Sequence, residues 1–106
     1  MIHRLAIIGL ALAFVLLAGS ASAVGPGQQC GGLIGIPCDA GLWCQKPPNT
    51  CRIFDGFGKC TRIPKVCTQI FRPVCGCDGK TYPNDCVRQS RQAQLAHAGR
   101  CRPSPY

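Results

Sequence analysis

Hydrophobic positions are spread unevenly along this chain. After Met1-Ile2-His3-Arg4, with one fixed positive charge, an uninterrupted apolar run extends from Leu5 to Ala18. A charged start, an apolar centre and the small residues Ala21-Ser22-Ala23 have the layout of a secretory signal peptide cleaved after Ala23. The run is shorter than the roughly 18 to 20 apolar residues that span a bilayer, so no stable membrane anchor is expected. Ser20 stands where a lipoprotein would carry its lipidated cysteine, so no lipid anchor is expected either.

From Val24 onward the apolar stretches are short and interrupted. Between Cys30 and Cys60, Cys30-Gly31-Gly32, Pro37-Cys38, Gly41-Leu42-Trp43-Cys44 and Pro47-Pro48 forbid long helices and predict turns. Further on, Asp78-Gly79 lies between Val74 to Cys77 and Lys80 to Tyr82, which predicts a β-hairpin with a two-residue type I′ turn. Asn84 or Asp85 can cap a helix, and Val87 to Gln94 contains neither Gly nor Pro, enough for about two turns. Leu95 to Ala98 then returns as a strand, and Gly99 supplies a turn or bulge before Cys101. Trp43, in a region so poor in apolar residues, is expected to anchor the packing.

Cysteine content changes the picture most. Removing residues 1–23 leaves about 83 residues holding all ten cysteines, about 12%, above the roughly 8–10% that marks a disulfide scaffold. Ordering such a chain costs about 1.5 kcal/mol per residue, and few aliphatic side chains are available to offset it. Five bridges, each contributing roughly 2–4 kcal/mol, therefore dominate its stability. Cys30, Cys38, Cys44 and Cys51 allow three pairings, and spacing does not choose among them. A zinc site at Cys75-Gly76-Cys77 is not expected: the spacing is too short, no second pair follows, and export favours disulfides. Neither a metal nor a cofactor is expected.

Charge narrows the function classes. The chain carries +8, or +7 without Arg4, with basic residues distributed rather than blocked. Lys46, Arg52, Lys59, Arg62, Lys65, Arg72, Arg88, Arg91, Arg100 and Arg102 suit a soluble cationic surface able to attract acidic partners. No basic stripe interleaved with stacking aromatics points to nucleic acid. One His beyond the leader, four scattered carboxylates and no nucleophile–base motif give no reason to expect an enzyme, and His97 is expected to be structural.

The segment Cys67-Thr-Gln-Ile-Phe-Arg-Pro-Val-Cys75, then Gly-Cys-Asp-Gly-Lys-Thr-Tyr-Pro-Asn-Asp-Cys86, places three cysteines seven and ten residues apart. With Pro-Val-Cys-Gly, Thr-Tyr-x-Asn-x-Cys and the ending Leu95-x-His97-x-Gly99-Arg100-Cys101, it resembles a Kazal-type serine protease inhibitor domain over residues 60–101. The preceding CGGLIGIPCDAGLWC pattern resembles cysteine-rich segments that precede Kazal-like domains in small secreted bacterial proteins. The organisation so implied is a signal peptide at 1–23, a turn-rich cysteine segment at 24–59, a Kazal-like domain at 60–101 and a tail at 102–106. The fold implied is a small disulfide-rich α+β unit, with a short antiparallel sheet and one short helix.

The resemblance further implies bridges Cys67–Cys86 and Cys75–Cys101. The family's remaining bridge normally uses a cysteine two or three residues past Cys86, where this chain has Arg88, Gln89 and Ser90. A relocated Cys60–Cys77 bridge is expected in its place, leaving Cys30, Cys38, Cys44 and Cys51 to close two bridges among themselves. Thr68, Gln69, Ile70, Phe71 and Arg72 would form the loop presented to a protease, with Gln69–Ile70 the reactive bond and Asn84 bracing it from behind. Neutral Gln69 suits a subtilisin- or elastase-like pocket better than trypsin's buried carboxylate, since charge-assisted hydrogen bonds contribute roughly 1.5–3 kcal/mol. The reading is a secreted or periplasmic monomer that binds a serine protease, with a non-inhibitory module binding a protein or an anionic surface as the alternative.

Overall fold

The computed structural model of the protein describes residues 22–103. All of the expected leader except Ser22 and Ala23, and the tail beyond Pro103, lie outside the described residues. Among the described residues, two three-stranded antiparallel sheets and one helix make up the fold.

The first sheet contains β1 (Gln29–Gly31), β2 (Leu42–Gln45) and β3 (Phe57–Arg62), in the order β1-β3-β2. Central β3 passes close beneath its neighbour, which requires Gly58: a Cβ there would lie 2.5 Å from the Gln45 carbonyl oxygen and 2.9 Å from the Cys44 sulfur. Cys44 stands opposite Cys60 in register, and the interior of the sheet is filled by sulfur. Cys30–Cys44 and Cys38–Cys60 are bonded, with Cα separations of 5.8 and 5.6 Å. The sulfurs of Cys30, Cys38 and Cys60 lie within 4.8 Å of one another, so the two bridges stack. These thiols are consumed in disulfides and offer no thiolate to a metal. β3 runs through residues 59 and 60, where the cysteine-rich segment was expected to give way to the second unit.

The second sheet contains β4 (Val74–Gly76), β5 (Thr81–Tyr82) and β6 (Leu95–Ala98), in the order β5-β4-β6, with α1 (Asp85–Ser90) between β5 and β6. The hairpin forms where Asp78-Gly79 predicts it, but its loop is Cys77-Asp78-Gly79, closed by a hydrogen bond from Gly76 N to Lys80 O of 2.9 Å. Three residues rather than two form the loop because the Asp78 carboxylate folds inward, accepting from Lys80 N at 3.0 Å and from the Tyr82 hydroxyl. The helix begins at Asp85 rather than Val87 and stops at Ser90 rather than Gln94. Asn84 caps its start, its Oδ1 accepting from Val87 N at 2.9 Å. Gln92 takes a left-handed conformation (φ 54) that no helix can pass through.

The expected Cys60–Cys77 bridge does not form. β3 carries Cys60 into the interior of the first sheet, where it is 2% exposed and bonded to Cys38. Cys77 instead bonds Cys51, at a Cα separation of 5.4 Å. Nor do Cys30, Cys38, Cys44 and Cys51 pair among themselves, since only Cys30–Cys44 stays within that set. The long β2–β3 connection explains this by crossing to the second sheet, where Asn49 N donates to Leu95 O at 3.1 Å. Cys67–Cys86 and Cys75–Cys101 are both formed.

A polar seam joins the two sheets. Trp43 (5% exposed) packs against Arg88 (1% exposed), whose guanidinium lies 5.8 Å from the indole centroid. Arg88 donates to Asp85 at 2.7 Å, to the Ala93 carbonyl at 2.6 Å and to Gln45 Oε1 of the first sheet at 3.0 Å. Gln94 adds two bonds across the same junction, donating to Cys44 O and accepting from Lys46 N, both at 2.8 Å. A buried cation bonded to three acceptors thus holds the helix against the first sheet.

Candidate protease-binding loop

Between β3 and β4 the chain runs without helix or strand, and Thr68 to Arg72 are all exposed. Backbone groups in such a segment normally look to water, and a fixed conformation needs anchors from outside. Cys67 is bonded to Cys86 on the first turn of α1, at a Cα separation of 5.7 Å. Arg72 N donates to Pro83 O, and Gly99 N to Pro73 O, each at 2.8 Å. Cys75–Cys101 then ties the start of β4 to the chain beyond β6.

Asn84 is the central brace. It is 8% exposed, and its Nδ2 donates to the carbonyl oxygens of Thr68 at 3.1 Å and Ile70 at 2.8 Å. Those two carbonyls bracket Gln69. The same side chain caps α1 through Oδ1, so both amide protons and the amide oxygen are in use, and the helix start and the loop are positioned by one residue. The exposed, outward-facing Gln69, Ile70 (57% exposed) and Phe71 (67% exposed) stand on this brace.

A second contact comes from Arg100, whose guanidinium lies 5.5 Å from the centroid of the Phe71 ring. Residue spacing carries no sign of this contact, because Arg100 is adjacent to Phe71 only through the pairing of β4 with β6, Val74 against Ala98. Asp85, behind the loop, has two opposing influences. Burial would raise its carboxyl, but hydrogen bonds from Arg88 and Gln89 and the charge of Arg88 hold it below its ordinary value. His97 lies half-buried in β6 with Nδ1 2.8 Å from the Ala98 carbonyl.

Residues 44–101, more than half of the chain, match the Kazal-type serine protease inhibitor domain. The chain belongs to that family. The trypsin inhibitor ClTI-1 of Gallus gallus is 41% identical over 49 residues, covering 41% of this chain and 87% of that protein. Serine protease inhibitor Kazal-type 1 of Homo sapiens is 59% identical over 29 residues, covering 27% of this chain and 37% of that protein. The serine protease inhibitor dipetalogastin of Dipetalogaster maximus is 45% identical over 42 residues, covering 35% of this chain and only 12% of that protein. These Kazal relatives come from animals, and the kinship with bacterial proteins expected from the N-terminal pattern finds no support among them. The Kazal match begins at Cys44, so it takes in β3 and the β2–β3 connection as well as the second sheet.

Proposed function

We propose that the protein is an extracellular inhibitor of a serine protease, and that it presents Thr68 to Arg72 to the enzyme as a substrate-like segment with Gln69–Ile70 as the reactive bond. The observation that carries this reading is the pair of hydrogen bonds from buried Asn84 to the carbonyls on either side of Gln69. A peptide held in advance from behind loses little conformational entropy when a protease closes on its front. Five disulfides fit an oxidising, extracellular setting.

Gln69 sets the target class. In a pocket with a buried carboxylate, a neutral amide forgoes the charge-assisted bond of Lys or Arg, a loss of roughly 1.5–3 kcal/mol. A broad subtilisin- or elastase-like pocket asks for no charge, and we take it as the preferred partner. The test is inhibition of subtilisin, elastase, chymotrypsin and trypsin by the oxidised protein, with hydrolysis at Gln69–Ile70 followed by mass spectrometry. Tight inhibition with slow hydrolysis of any member supports the reading. Gln69→Lys should then raise trypsin affinity roughly ten- to a hundredfold. No inhibition by either form would leave a non-inhibitory module that uses this scaffold to bind a protein or an anionic surface.

A further inference from the structure

The end of the molecule away from the loop has an unusual surface. Leu33 (87% exposed) and Ile34 (75% exposed) occupy the tip of a tight turn closed by Gly35 N to Gly32 O at 3.1 Å. Turn tips ordinarily carry Gly, Pro, Asn, Asp or Ser, so two aliphatic side chains there serve no folding need. Ile53 (52% exposed) and Phe54 (89% exposed) form a second apolar protrusion, just after the turn closed by Ile53 N to Thr50 O at 3.0 Å and held by Lys46 Nζ to Phe54 O at 3.1 Å.

The two tips are neighbours. Gly31 pairs with Phe57 at the ends of β1 and β3, and Gly32 N donates to Gly56 O at 3.1 Å. Phe57 itself lies so close to Gly32 that a Cβ there would run into its ring, and a Cβ at Gly56 would lie 3.2 Å from Ile53 Cγ2. Single exposed apolar residues are ordinary, but a cluster of five around one end is not.

This end is also opposite the loop. Cys51–Cys77 fixes the second tip to the Gly76 end of β4, whereas the loop enters β4 at Val74. Phe71 meets Arg100 beyond the Ala98 end of β6, while Asn49, which leads to the second tip, is bonded to Leu95 at its start.

We infer that Leu33, Ile34, Ile53 and Phe54 form a docking end that inserts into the interface of an anionic phospholipid bilayer, leaving the loop free on the far side. Apolar side chains carried on two convex turns fit a surface that can close around them. Lys46, whose Nζ meets Phe54 O, and Arg52, next to Ile53 in the chain, flank the second tip together with the single carboxylate of Asp55, and the chain has twelve Lys and Arg against four Asp. That charge complements anionic headgroups and repels a second copy of the same chain.

The test uses the oxidised protein as secreted, its N-terminus established by mass spectrometry, in co-sedimentation with vesicles. One set is phosphatidylcholine alone and the other contains about a third phosphatidylserine. Binding should be about tenfold or more stronger to the anionic set and should fall as salt rises. Ile34→Ser combined with Phe54→Ser should weaken it by at least a further tenfold, the loss that follows when only two buried CH₂ groups are removed at about 0.8 kcal/mol each. Both side chains are exposed, so the variant should retain all five bridges by non-reducing peptide mapping. Its behaviour toward proteases should not change, and a failure of lipid binding is thereby separate from a failure of inhibition. Equal sedimentation of parent and variant overturns the inference, as does absence from both vesicle sets. A dimer that the same substitutions dissociate, without vesicle binding, overturns it in favour of self-association.

Discussion

The two sheets are held by different means. Inside the first, the buried side chains are Cys30, Trp43 and Cys60, and large apolar residues remain at its surface. Inside the second, Asn84 and Arg88 are buried beside Val74, Cys75 and Ala93. Sulfur and one indole suffice where the chain need only be rigid. Where backbone must be aimed, as in the segment around Gln69, buried polar groups with every hydrogen bond satisfied supply direction as well as cohesion. Disulfides constrain distance, and Asn84 constrains the orientation of two named carbonyls.

The comparison can be broken most severely at Arg88. Replacing it with Ala should cost about 3 kcal/mol, because Gln45 Oε1 and the Ala93 carbonyl lose their donor inside the seam and Trp43 loses its packing partner. A lowered thermal midpoint, with amide exchange rising in α1 before the first sheet, would show that the two regions have separate sources of stability. Uniform loosening would show that they are a single unit. Asn84→Ala comes next, at about 2 kcal/mol for one helix cap and two hydrogen bonds. It should speed hydrolysis at Gln69–Ile70 by more than the stability loss explains, as followed by mass spectrometry against a reference protease.

Smaller effects sharpen the picture around the loop. Arg100→Ala removes an exposed cation–π contact contributing about 0.5–1 kcal/mol, and should weaken inhibition a few-fold with an unchanged thermal midpoint. The smallest is a pH effect at Asp85. Its carboxyl is held below its unfolded value, so its contribution is complete above that value and is lost as pH falls through the lower folded one. Thermal midpoints followed down to acid pH should fall less steeply for Asp85→Asn than for the parent.

Much of the second sheet was legible from local chemistry. Asp78-Gly79 marked the hairpin, Asn84 the helix start, and Leu95–Ala98 the closing strand. Cys67–Cys86 and Cys75–Cys101 came through resemblance to the Kazal pattern. The first sheet was less legible because the buried positions of β3 are Gly58 and Cys60 rather than aliphatic residues, so no apolar alternation distinguished Phe57–Arg62 from a turn. Once β3 was missed, Cys60 had no reason to face Cys38, and the pairing went astray. Arg88 was read as one cation among many, because burial of a charge depends on partners as distant as Gln45, 43 residues earlier in the chain.

The nested cross-links around the loop have a further consequence. A cut at Gln69–Ile70 would not release two products. The piece ending at Gln69 would stay joined to the piece beginning at Ile70 through Cys67–Cys86 and Cys51–Cys77. Asn84 would still hold Thr68 O and Ile70 O on either side of the break. Hydrolysis there would add one water and leave a single covalent molecule, whose severed ends would face each other at the high effective concentration of a short tether. Rejoining at that bond would compete with separation of its ends.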